Sequence, residues 1–68
     1  MEQKQIKAAL QYGGQSLRQV AAAVGLSPQN FSQKAARGSL TDEELKAIAE
    51  QIGATYKCFF EFSDGKQI

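Results

Sequence analysis

Histidine and tryptophan are absent from this 68-residue chain, and cysteine and proline each occur once. Without histidine, the commonest general base and metal ligand is missing. A lone Cys58 can close no disulfide within the chain, and it leaves too few ligands for a zinc site. No apolar run approaches the ~20 residues that a membrane-spanning helix needs. The opening Met1-Glu2-Gln3-Lys4 lacks the apolar core of a signal segment. There is no glycine-rich phosphate loop and no nucleophile–base pair. Neighbouring carboxylates occur at Asp42-Glu43-Glu44, where they open a helix. The expectation is a cytoplasmic protein that is not an enzyme and uses neither cofactor nor metal.

With 43% hydrophobic and 22% charged residues the composition is that of a folding chain, not a disordered one. Residues 1–68 are expected to form one domain, with a helical core over 3–54 and a C-terminal strand or hairpin over 55–68. A chain this short buries only ~60% of its unfolded surface, so every apolar face has to be used. The net charge is only +1, but it is unevenly spread. Residues 1–38 hold Lys4, Lys7, Arg18, Lys34 and Arg37 against Glu2 alone, a net of +4. Residues 39–68 hold three lysines against six carboxylates, a net of −3. Such asymmetry steers one face toward a polyanion and keeps the other away.

The residues from Leu17 to Arg37 carry the strongest local signals. Leu17, Val20, Ala21 and Val24 fall on one helical face. Gly25 follows where a helix end favours left-handed geometry. Ser27 is an N-cap and Pro28 suits the first helical position. Leu26 and Phe31 are spaced as a hydrophobic staple. Together they specify a helix, a tight turn and a second helix running from Pro28 to about Arg37, closed by Gly38.

Around this unit the chain reads simply. Ile6, Ala9 and Leu10 form the apolar stripe of a helix from Glu2 to Tyr12, stopped by Gly13-Gly14. Ser16 and Gln19 make a capping box for the second helix. Thr41 to Glu44 makes another, for a fourth helix whose inner face is Leu45, Ile48, Ala49 and Ile52. The expected core is Ile6, Leu10, Leu17, Val20, Ala21, Val24, Leu26, Phe31, Leu45, Ile48, Ala49 and Ile52. The fold class is therefore mainly α, a compact four-helix domain with a short β tail.

Val20-Ala21, Gly25, Leu26-Ser27-Pro28 and Phe31 resemble the helix-turn-helix of the Cro and lambda-repressor-like (XRE) family, over roughly Gln3 to Ala54. The chain departs from that pattern at Lys34, where family members usually carry an apolar residue; Ala35 comes one later, and Phe31 and Ala35 are i, i+4 neighbours. The resemblance implies that helix 28–37 enters the major groove of double-stranded DNA. The base-reading positions it implies are Pro28, Gln29, Ser32 and Gln33 with Ser27 at the cap, and Asn30 lies beside them. A glutamine amide can bond adenine N6 and N7 together. Backbone contacts are expected from Gln15, Ser16, Arg18, Ser27, Lys34, Arg37 and Ser39. The family implies a small transcriptional repressor of phage or mobile-element type, bound as a homodimer to a pseudo-palindromic operator. A protein-interaction module or antitoxin-type adaptor on the same fold is the other reading.

After Gly53 the period changes to two. Tyr56, Cys58, Phe60 and Phe62 share one side of an extended strand, with Thr55, Lys57, Phe59 and Glu61 on the other. Asp64-Gly65 is a hairpin turn, with Lys66 to Ile68 returning. Cys58 is expected as a buried strand residue. A long strand with so short a partner needs further pairing. Either a second copy supplies it through Tyr56, Cys58, Phe60 and Phe62, or the hairpin folds back over helices 1 and 4.

Overall fold

The computed structural model describes residues 2–68; Met1 lies outside them. Four helices are present: α1 (Gln3–Tyr12), α2 (Leu17–Ala23), α3 (Pro28–Arg37) and α4 (Asp42–Gln51). Two strands follow, β1 (Ala54–Tyr56) and β2 (Phe60–Phe62). The expected mainly helical fold with its C-terminal β element is what the chain adopts. None of these helices is long and apolar enough to cross a membrane.

Local chemistry places the helix ends. Ser16 Oγ accepts from the Gln19 N–H at 3.2 Å while Gln19 Oε1 accepts from the Ser16 N–H at 2.9 Å. Thr41 and Glu44 repeat that reciprocal box at 3.1 and 2.9 Å. Ser27 Oγ accepts from the Asn30 N–H at 3.1 Å. These caps satisfy amide donors that a helix start leaves without partners. Between α2 and α3 the chain turns at Gly25, whose φ of 79° is easy only for a residue without Cβ. There the Leu26 N–H reaches back to the Ala21 carbonyl at 2.9 Å and the Gly25 N–H to that of Ala22 at 3.2 Å. This double bond pattern closes the helix and brings Leu26 onto it.

The core contains Ile6, Ala9, Leu10, Val20, Ala21, Phe31, Leu45, Ile48, Ala49 and Ile52, much as the helical stripes require. Ala35, Phe60 and Phe62 join it, whereas Leu17, Val24 and Leu26 pack at its edge, partly exposed. Phe31 and Phe60 are its largest fully enclosed side chains. A 68-residue chain has too few helical residues to close a core alone, so the tail completes it.

The expected continuous strand over Thr55–Phe62 is instead a hairpin. Ala54, Thr55 and Tyr56 pair antiparallel with Phe62, Glu61 and Phe60. Lys57 to Phe59 form the tip, with the Lys57 N–H donating to the Phe59 carbonyl at 2.7 Å. Cys58 sits there with φ of 67°, exposed rather than buried. The rotated backbone at this one residue breaks the alternation that a continuous strand would keep. The ion pair Lys57–Glu61 spans the tip at 3.1 Å.

The Asp64-Gly65 turn forms as expected. Phe62 N–H donates to the Lys66 carbonyl at 2.9 Å, and Phe60 and Ile68 exchange backbone bonds at 2.8 and 2.9 Å. Thus β2 has partners on both sides from its own chain. Phe60 and Phe62, expected to face a second copy, lie in this chain's own core at 0% and 7% exposure. Tyr56 is half-buried against that core and Cys58 points to solvent. Of the two arrangements the sequence allows, the tail takes the fold-back. The Tyr12 hydroxyl donates to the Asp64 carboxylate, and the Tyr12 ring meets Phe62 edge-on at 4.7 Å between centroids. This hydrogen bond raises the Tyr12 pKa and lowers that of Asp64.

Gly13 makes a tight approach between α1 and the end of α4. A Cβ there would lie 2.8 Å from Ile52 Cβ and 3.1 Å from the Ile52 carbonyl oxygen. Its φ is −78°, so the obstacle is space rather than backbone strain. Gly13→Ala should gain ~0.4–1 kcal/mol by restricting the unfolded chain. Overpacking against buried Ile52 costs ~1–3 kcal/mol and should win. Thermal unfolding should show a midpoint several degrees lower; an unchanged or higher midpoint would refute the close packing.

Candidate nucleic-acid interface

The direction in which α3 faces follows from its two buried residues. Phe31 and Ala35 are enclosed, at 0% and 4% exposure. With 100° per residue, the side opposite them centres on Gln33, flanked by Gln29, Ala36 and Arg37. All four are exposed, as are Pro28 and Asn30 at the start of the helix, whereas Ser32 is half-buried. Lys34 is half-buried beside the anchored face and does not enter the core. Ala35 serves as the second anchor, and Gln29 and Gln33 lie one turn apart on the outward surface.

No intramolecular hydrogen bond holds the side chains of Gln29, Gln33 or Arg37 among the described residues. The outward side of α3 thus carries two amides, with one guanidinium at its end, that make no hydrogen bond among the described residues. Ala36 belongs to the same surface and its small side chain keeps the stripe low. Sequence matching did not single it out, although its 100° spacing from Ala35 and Arg37 would have placed it there.

The expected backbone contacts fare unevenly. Arg18 is exposed on α2 and Arg37 on the last turn of α3, both available to a phosphate. Ser16 and Gln15 were expected to offer both N–H groups and polar side chains to a phosphate; the N–H groups are already engaged. The Gln15 N–H bonds the Leu10 carbonyl at 3.0 Å, and the Ser16 N–H bonds Gln19 Oε1. Their side chains remain, half-buried for Gln15 and exposed for Ser16. Ser27 and Ser39 also have local duties. Ser27 caps α3, and Ser39 closes it, its N–H donating to the Lys34 carbonyl at 2.9 Å.

Lys34 departs most from expectation. Its ammonium lies 2.9 Å from Glu44 Oε2, linking α3 to the first turn of α4, instead of standing free for phosphate. The same carboxylate uses Oε1 to accept the Thr41 N–H. Accepting the Thr41 N–H, and next the Lys34 ammonium, holds the Glu44 pKa below its ordinary value. Glu44 escaped sequence reading because the box Thr41 to Glu44 explains it locally, and nothing along the chain indicates its second partner.

Three features thus meet on one surface: an exposed helix preceded by a tight turn, free amides along it, and cations at its margin. A helix has the width to enter the major groove, amides are among the groups that can bond base edges there, and cations suit the phosphates beside it. A family model described as winged helix-turn-helix DNA-binding matches residues 1–60, which include all four helices, β1 and the hairpin tip. No curated protein and no solved structure matches the chain.

Proposed function

We propose, for a chain that belongs to the winged helix-turn-helix DNA-binding family, that α3 reads a specific duplex sequence from the major groove as part of a small transcriptional repressor. Gln29 and Gln33 are the base-reading residues, each suited to adenine N6 and N7. Pro28, Asn30 and Ser32 lie at the entry and flank of the contact. Arg18 and Arg37 meet the backbone, with the side chains of Gln15, Ser16, Ser27 and Ser39 as neutral contacts. The observation that carries this reading is the outward, unpartnered row of Gln29 and Gln33 on a helix whose opposite side is locked by Phe31 and Ala35.

The role is binding and not catalysis, carried out in the cytoplasm. Repression follows from occupying a promoter, as in the Cro-like (XRE) and phage or mobile-element regulators that the turn residues resemble. The operator is pseudo-palindromic and the bound form a homodimer, since two-fold protein symmetry is mirrored in half-sites. With Phe60 and Phe62 enclosed, that dimer does not use the aromatic side of the tail. An interaction module that gripped its partner through the aromatic tail would likewise find Phe60 and Phe62 enclosed.

Selection of bound duplexes from a random pool, with the mass of the complex measured in solution, tests the reading. The expected result is a consensus of two related half-sites, each containing adenine, in a complex of two chains per duplex. A pool that shows no enrichment over its starting composition would end it.

A further inference from the structure

We propose that Glu44 is an internal competitor for the DNA backbone, masking Lys34 and so lowering the affinity of α3 for any duplex. The inference rests on the DNA-binding reading above and concerns a residue outside the contact surface.

Lys34 is 100° around α3 from Gln33, toward the flank where the phosphate walls of a groove would lie. It and Arg37 are the two cations of α3, and α3 carries no acid. Arg37 is unpaired among the described residues, whereas Lys34 is matched at 2.9 Å by Glu44. The pairing is separable from the fold. Glu44 caps α4 with Oε1 and holds Lys34 with Oε2, so the cap does not need the ammonium. The pair lies at the surface but is part-buried, its side chains retaining 38% exposure for Lys34 and 19% for Glu44. Such pairs shift an equilibrium by at most about five-fold. The carboxylate thus stays on Lys34 when α3 meets a duplex, and removing its charge should raise the affinity by no more than that factor.

Counterion release makes the masking measurable, because each neutralised phosphate adds ~0.9 to the salt slope. Glu44→Gln keeps an amide oxygen for the Thr41 N–H, since glutamine also serves in a capping box, and removes only the charge. Binding to a random-sequence duplex should be measured across a salt series for four proteins: the parent, Glu44→Gln, Lys34→Ala and the double variant. Glu44→Gln should bind about two- to five-fold more tightly at low salt, with a slope steeper by ~0.9. Lys34→Ala alone should leave the slope near the parent's, and the double variant should return to it. An unchanged slope in Glu44→Gln, or a full unit lost in Lys34→Ala, would overturn the masking. Failure of the parent to bind duplex at low salt would instead overturn the DNA-binding reading, and this inference with it.

Discussion

Phe60→Ala should leave the protein largely unfolded at 37 °C. Phe60 is completely enclosed and is among the largest side chains in the core. Its strand is held by β1 on one side and by backbone bonds to Ile68 on the other, so the site has little freedom to collapse around a void. Truncating a buried phenylalanine costs ~3–5 kcal/mol. A domain of this length has a total stability of roughly 3–10 kcal/mol, so the loss takes a large part of it. Circular dichroism during urea and thermal unfolding would register the change. Phe59→Ala, at the partly exposed hairpin tip, should cost much less. The comparison separates two roles for the tail. An interface residue, once truncated, would leave the melting midpoint nearly intact while the dimer dissociated. That outcome would contradict the burial described here.

Gln33→Ala should weaken binding to the selected operator by ~1–3 kcal/mol, about five- to 150-fold, and leave random duplex binding unchanged. The size follows from one bidentate amide–adenine contact replaced by an unpaired base edge. Alanine is the best helix former and Gln33 is exposed, so the fold should not suffer. Gln29→Ala should behave alike at a different base position. The signature sought is a loss of discrimination at one position of the site, read by repeating the selection with the variant. Equal weakening on operator and random duplex would mean that Gln33 contributes to general contact instead of reading a base. Arg37, by contrast, should affect both duplexes alike, since a phosphate contact carries no sequence information.

Much of the architecture is local in origin and so was readable along the chain. Ser16, Ser27 and Thr41 each cap a helix through an atom three residues away. Gly25 ends α2 because its own φ has to be positive, and Asp64-Gly65 turns the tail for a similarly local reason. The apolar stripes of α1, α2 and α4 face inward because helical spacing gathers them on one side. These signals act within one or two turns, and no distant residue is needed to interpret them. The sequence by itself therefore determined the four helices, the tight turn before α3 and most of the core.

The tertiary structure decided what lies between elements. Whether the aromatic tail met a second copy or its own helices depended on how much apolar surface those helices left uncovered, which no alternation pattern records. Phe60 and Phe62 fill that gap, and the strand bends at Cys58 to deliver them. Lys34 and Glu44 are ten positions apart and Tyr12 and Asp64 are 52 apart. Such partners are chosen by the packing of rigid helices, and sequence spacing carries no information about them. The outward direction of Gln29 and Gln33 was settled in the same way, by the anchoring of Phe31 and Ala35 in a core to which all four helices contribute.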